Sequence, residues 1–253
     1  MPSPGSAVAA DALSVSDPQL TWSFRLNGAT MDDWSWRQRG APPLHQLQPV
    51  RVPRSSEFQR HIPVSAYSMT NGDIVSLESG LEHDLLRRVD RDPRVTRIVA
   101  QPLRVSWAAP TRGSHVPDLL TVHDDGTATV WDVRALDRHD EDFTTKSAIT
   151  RDACLAIGWR YAVFTGLASI ERLNHLWLHG FRRRPAWAGR VEEQVRRAAS
   201  RPGATLGSVI ASDDGTGELT SVLWHLLWHD DVTIDMAAQW ELNTPVTVRR
   251  DDR

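Results

Sequence analysis

Cysteine is almost missing from this 253-residue sequence: Cys154 is the only one. That excludes a disulfide scaffold and suits a reducing compartment. Lysine is as scarce. Of 29 basic residues, 28 are arginines and one is Lys146, so any chemistry that needs a titratable amine has a single candidate. No run approaches the ~18 consecutive apolar residues of a membrane span. Residues Met1 to Ser14 carry no basic stretch ahead of an apolar one, so no secretory signal is read there. The expectation is a cytoplasmic protein with no membrane contact. A net charge of −3 and an isoelectric point near 6.4 exclude an obligately basic, histone-like binder. Also missing are a nucleophile elbow, a glycine-rich phosphate loop, the His/Cys spacings of a zinc site and any internal repeat.

What is present is a globular composition, 40% hydrophobic and 24% charged, long enough for an ordinary buried core. Residues 1–60 mix proline, tryptophan and polar residues without sustained periodicity and read as an irregular, partly disordered arm. From Leu77 the pattern becomes helical, with Leu77, Leu81, Leu85 and Val89 on one face up to about Asp90. β-like runs follow at Val95 to Trp107, where Pro102 implies an edge or bulge, at Val116 to His123 and at Thr127 to Arg134. Phe143 to Ile157 reads as a helix closed by Gly158, Trp159 to Thr165 as a strand, and Ser169 to Phe181 as a helix. This order predicts an α/β core over residues 61–183, a mixed sheet flanked by helices. After the basic junction Arg182 to Gly189, three short helices and a β-ribbon predict a small winged-helix domain over residues 190–253.

The most informative stretch runs from His115 to Arg134. Asp124-Asp125-Gly126 suits a three-residue hairpin loop with glycine in the left-handed position. Centring the turn on Asp125 places Asp118 opposite Asp132, with Cβ atoms roughly 4.5–5.5 Å apart. Carboxylates that close repel unless a proton or a cation lies between them. Asp132 and Arg134, two apart on a strand, share a face. At about 100° per residue, Glu78 and Glu82 both fall inside the apolar arc of the first helix, where an unpaired carboxylate is costly. A hard cation held by these acids is one solution.

The same residues resemble the PD-(D/E)xK nuclease pattern, and more narrowly the TnsA-like endonuclease subunits of heteromeric transposases. The resemblance is carried by Glu78-Ser79-x-Leu81-Glu82, Val95-x-x-Ile98 leading to Gln101-Pro102, His115-x-Pro117-Asp118, Asp132-Val133-Arg134 and Gly158-Trp159-Arg160-Tyr161. It spans roughly residues 60 to 183 and implies a restriction-endonuclease-like core that hydrolyses a phosphodiester of double-stranded DNA at transposon ends. Glu82, Asp118, Asp132 and the Val133 carbonyl would hold Mg²⁺ or Mn²⁺, with Glu78 as the alternative helix acid. The expected partners are a DDE-type transposase subunit and an ATPase regulator. Where the pattern normally ends in lysine this chain has Arg134, which holds positive charge but is a poor proton shuttle; Lys146 on the next helix is a substitute. That departure leaves open a catalytically degenerate adaptor that binds DNA or a transposase partner, and a stand-alone restriction or repair nuclease shares the chemistry. Between Arg182 and Arg201, seven arginines face only Glu192 and Glu193, so Arg182, Arg183, Arg184 and Arg190 are the expected DNA or partner contacts.

Overall fold

Leu119 and Leu120 are adjacent on one strand and both fully buried. Side chains alternate between faces along a strand, so the sheet that holds them is covered on both sides. In the computed structural model, which describes residues 20–51, 64–109 and 111–249, the chain is mixed α/β with several sheets. In chain order the first elements are β1 (Leu20–Leu26), β2 (Ala29–Met31), α1 (Trp36–Arg39), β3 (Leu47–Gln48), β4 (Val64–Ser68), β5 (Asp73–Leu77), α2 (Gly80–Asp90), β6 (Val95–Ala100), β7 (Leu103–Trp107) and β8 (Gly113–His115). They are followed by β9 (Leu119–His123), β10 (Ala128–Val133), α3 (Glu141–Ala156), β11 (Arg160–Phe164) and α4 (Ser169–His179). The chain then forms α5 (Ala188–Ala199), α6 (Leu206–Ile210), α7 (Glu218–Trp228), β12 (Val232–Thr233) and β13 (Thr247–Val248).

The central sheet has the order β11-β10-β9-β6. Only β10 and β11 are parallel, joined through α3 as parallel neighbours require a crossover. The hairpin register follows from its turn. Gly126 at φ 78° takes the left-handed position, and Val122 faces Ala128 while Leu119 faces Trp131, each pair equidistant from Asp125. On one face, Leu120, Val130 and Ala128 pack with α3 and with a second, antiparallel sheet of order β2-β1-β7-β8, to which β3 adds beside β1. On the other, Leu119 and Ile98 meet Leu85, Leu86 and Val89 of α2 and Leu77 of the β4–β5 hairpin. The edge strand β6 is capped by one side chain: the Asn71 amide donates to the Ile98 carbonyl at 2.7 Å and accepts from its N–H at 3.0 Å. A single amide thus takes the place of another strand.

Three expectations change. Residues 20–51 are not an irregular arm: β1 pairs with β7, and Trp22 and Phe24 are buried in the core. Aromatic edge-to-face contacts with Trp36 and Trp159 fix this corner: Trp22 and Phe24 are core residues on alternate positions of β1, and the partly buried Trp34 and Trp36 pack against them. Residues 1–19 and 52–63 lie outside the described residues. The stretch Val95 to Trp107 is two strands in two sheets, because Gln101 turns the chain at φ 46° and Pro102 has no N–H to continue a ladder. Leu77 ends a strand; the helix starts at Gly80, where Ser79 caps it.

Beyond residue 187, α5, α6 and α7 gather Val195, Leu206, Val209, Val222, Leu223 and Leu227 into a buried cluster of their own, which also takes in Leu178 of α4. Polar ties reach it from the first part of the chain. Arg91 donates to the Leu227 carbonyl at 3.0 Å and pairs with Asp230 at 2.9 Å. Asn174 donates to the carbonyls of Met236 and Ala238. Among the described residues, no helix is long and apolar enough to cross a membrane.

Candidate functional site

The open end of the β9–β10 hairpin meets the N-terminus of α2. Glu82, the third residue of α2, is buried and serves the helix start. The Ser79 hydroxyl donates to Oε1 and the Glu78 N–H to Oε2, both at 2.9 Å, while the Glu82 N–H donates back to Ser79 Oγ at 3.1 Å. This reciprocal cap explains locally why a glutamate can sit on the inner face. Two bonds do not fully offset its loss of water: burial, with the nearby Glu78 charge, raises its pKa above the ordinary value.

Asp118 lies just ahead of β9. Its N–H donates to the Trp131 carbonyl at 3.0 Å and its carbonyl accepts from the Gln101 N–H at 2.8 Å, so its backbone is fixed from both sides. Oδ2 accepts the Val133 N–H at 2.6 Å, the one hydrogen bond to this carboxylate among the described residues. Its pKa is raised well above the usual range, first by desolvation and then by the charge of Glu82, with smaller contributions from Asp132 and Glu78. A cation that sequence reasoning missed, Arg51, acts on Glu82, whose pKa its charge lowers. Arg51 pairs with Glu78 at 2.9 Å and donates to Gln101 Oε1 at 2.9 Å. Gln101 is itself buried, and its Nε2 has no partner among the described residues.

Asp132 has another set of neighbours. His115 Nε2 bridges both its oxygens at 2.8 and 2.9 Å, and the Tyr161 hydroxyl donates a short hydrogen bond to Oδ2. Ser147 on α3 donates in turn to Tyr161 at 2.8 Å. Burial and the Asp132 charge push both the Tyr161 hydroxyl and the Cys154 thiol upward. Sequence parity contained this signal. Val163 faces Asp132 in the parallel register, and Tyr161, two residues earlier, therefore shares its side of the sheet.

The remaining predicted residues divide. Val133 contributes its N–H to Asp118. Arg134 turns to the start of α3, where it donates to the Arg138 carbonyl at 2.7 Å, pairs with Asp140 at 2.8 Å and lies over Phe143. Lys146 pairs with Asp142 one turn away at 2.6 Å. Neither is bonded to Glu82 or Asp118. In the basic junction, Arg184 pairs with Glu192, Arg190 with Glu218, and Arg182 donates to the His179 carbonyl. Arg183 stands over Tyr67. Much of the charge expected to be available there is spent within the chain. Among the described residues, no group of three or more His, Cys, Asp or Glu side chains is arranged to hold a metal ion; Glu82 and Asp118 form a pair, and Asp132 is engaged elsewhere.

No protein-family model matches this chain, and no curated protein matches it in sequence.

Proposed function

We propose that the chain is a divalent-metal-dependent DNA endonuclease with a restriction-endonuclease-like core and a winged-helix-like C-terminal part, acting as a TnsA-like subunit beside a DDE-type transposase. The observation that carries this reading is the pair Glu82 and Asp118: each is desolvated, the Glu82 charge helps raise Asp118, and Arg51, whose charge reaches Glu82, is bonded to Glu78 instead. Two such carboxylates are an unfavourable arrangement for the apoprotein and a favourable one for a hard, oxygen-seeking ion. Glu82 and Asp118 would hold Mg²⁺ or Mn²⁺, with Asp132 and the Val133 carbonyl next to them in the chain order that the resemblance requires. The ion would supply Lewis-acid stabilisation of phosphate charge and a more acidic bound water.

The chain's own residues would do the rest. Val133 N–H orients Asp118, the Ser79 cap orients Glu82, and Arg51 and the Gln101 Nε2, which has no partner among the described residues, would offer donors to a phosphodiester oxygen. Arg134, held at the start of α3, favours the second reading, an adaptor that keeps the fold and has lost turnover. One pair of measurements separates them. Calorimetry with Mn²⁺ on wild type and Asp118→Asn tests the cation site, with binding lost in the variant. Nicking of transposon-end DNA, with Mg²⁺ and partner transposase present, tests turnover. Binding without nicking would leave the adaptor; no binding in wild type would sink the metal-dependent reading.

A further inference from the structure

A second polar cleft lies away from these carboxylates, where the C-terminal end of α2 faces α4 and the loops around β12 and β13. Its volume is about 420 Å³, within the range of small-ligand pockets. His175 of α4 lines it and is 3% exposed, yet its Nδ1 has no hydrogen-bond partner among the described residues, and Nε2 is 3.9 Å from the Glu171 carboxylate. An imidazole this deeply buried normally satisfies both nitrogens.

The charges around it are unevenly used. Asp230 is bonded to Arg91 at 2.9 Å, and the Asp92 carboxylate accepts the Arg94 N–H. Glu171 is the remaining acid on the wall. Against it stand Arg88, which has no acidic partner among the described residues, Arg94, whose nearest carboxylates are 3.6 and 3.7 Å away, and Arg249, 3.4 Å from the already paired Asp230. The positive field is felt by His175: burial, followed by Arg91, Arg88 and Arg87, pushes its pKa down to about 4. The ring is therefore neutral near pH 7 and has one N–H to give.

We propose that this cleft binds a phosphate group, with Arg88, Arg94 and Arg249 taking its charge and the His175 imidazole N–H reaching one oxygen. Guanidinium groups suit this role because their planar forks match phosphate oxygens. Trp131, on the same wall, gives the organic part of an ester an apolar surface. The phosphate belongs either to a free mononucleotide or to a nucleic-acid strand. The inference is independent of the endonuclease reading, because it involves neither Glu82 nor Asp118.

The test is calorimetry on the full-length chain carrying Asp118→Asn, in EDTA, so that neither metal binding nor cleavage enters. AMP, inorganic phosphate, adenosine and a short DNA duplex are titrated in turn. AMP should bind one-to-one, with adenosine at least tenfold weaker, and Arg88→Gln and Arg249→Gln should each weaken AMP about tenfold while leaving the urea midpoint unchanged. If only the duplex binds and the same variants weaken it tenfold, the phosphate is that of the nucleic acid. If no phosphate-bearing probe binds, or if Arg88→Gln and Arg249→Gln leave every affinity unchanged, the proposal is overturned.

Discussion

Asp118 lies just ahead of β9 and Asp132 near the end of β10, both at the open end of one hairpin, yet their surroundings differ in kind. Asp132 is enclosed by His115 and Tyr161, with Ser147 behind the tyrosine. Asp118 has one N–H from Val133 and otherwise a neighbouring glutamate that repels it. One carboxylate is built into the core as a satisfied acceptor. The other is held under tension. Hydrogen bonding and burial by themselves do not mark a functional acid; an unrelieved like charge beside it does.

Metal binding should separate the two most. Asp118→Asn or Glu82→Gln should reduce Mn²⁺ affinity at least 100-fold by calorimetry, since each removes one of the two acids that the cation would neutralise. Equal affinity in either variant would break the contrast at its functional end.

Stability should then move in opposite directions. Asp132→Ala leaves the Tyr161 and His115 donors without their acceptor in a buried place, and should cost about 3 kcal/mol in urea unfolding. Asp118→Asn keeps an oxygen for the Val133 N–H and removes the repulsion, so the metal-free variant should be at least as stable as wild type near pH 7. A destabilised Asp118→Asn would mean that its charge is compensated by something in the fold.

The same contrast predicts a pH dependence. Asp118 and Glu82 have folded-state pKa values above their ordinary ones, so the folded protein binds their protons more tightly than the unfolded chain does. Their ionisation therefore costs nothing below the ordinary carboxylate value and its full amount above the raised values. In metal-free buffer the excess stability of Asp118→Asn over wild type should vanish below the ordinary aspartate value of 3.8 and grow as pH rises above it. A difference that shrinks with rising pH would reverse the assignment.

The smallest effect belongs to Lys146. Its bridge to Asp142 is an exposed helix pair, so Lys146→Ala should change stability by no more than about 0.5 kcal/mol. It should also leave Mn²⁺ binding unaltered. A large loss of nicking in this variant, with binding intact, would make the lone lysine part of the chemistry after all.

Local patterns made much of this structure legible. The turn residues Asp124 to Gly126 set the hairpin register from Val122 opposite Ala128 to Leu119 opposite Trp131; the expected next pair, Asp118 with Asp132, is not part of it, because the Asp118 N–H bonds to the Trp131 carbonyl. Leucine spacing located α2, although its start was misread by three residues, because Leu77 continues the helical arc on paper while serving β5 in fact. The N-terminal strand left a local signal that was missed: Leu20, Trp22, Phe24 and Leu26 alternate inward, and Asn27-Gly28, both at positive φ, turns β1 into β2, a pattern typical of tight hairpins. Its other partner, β7, lies some 80 residues away in the chain, and that pairing has no local trace.

The sequence by itself determined the short-range geometry, because turn conformation, helix capping and side-chain alternation depend on residues within a few positions of one another. Ser79 and Glu82 cap one helix, and Leu119 faces Trp131 in the hairpin, on that basis alone. Only the tertiary structure decided which acid was satisfied. Tyr161 reaches Asp132 because α3 carries the chain back to place β11 parallel to β10. Arg51 comes from another sheet region to pair with Glu78, leaving Asp118 and Glu82 to repel each other. Charge compensation is settled by whichever groups the packing brings within a few ångströms, and sequence distance places no limit on that.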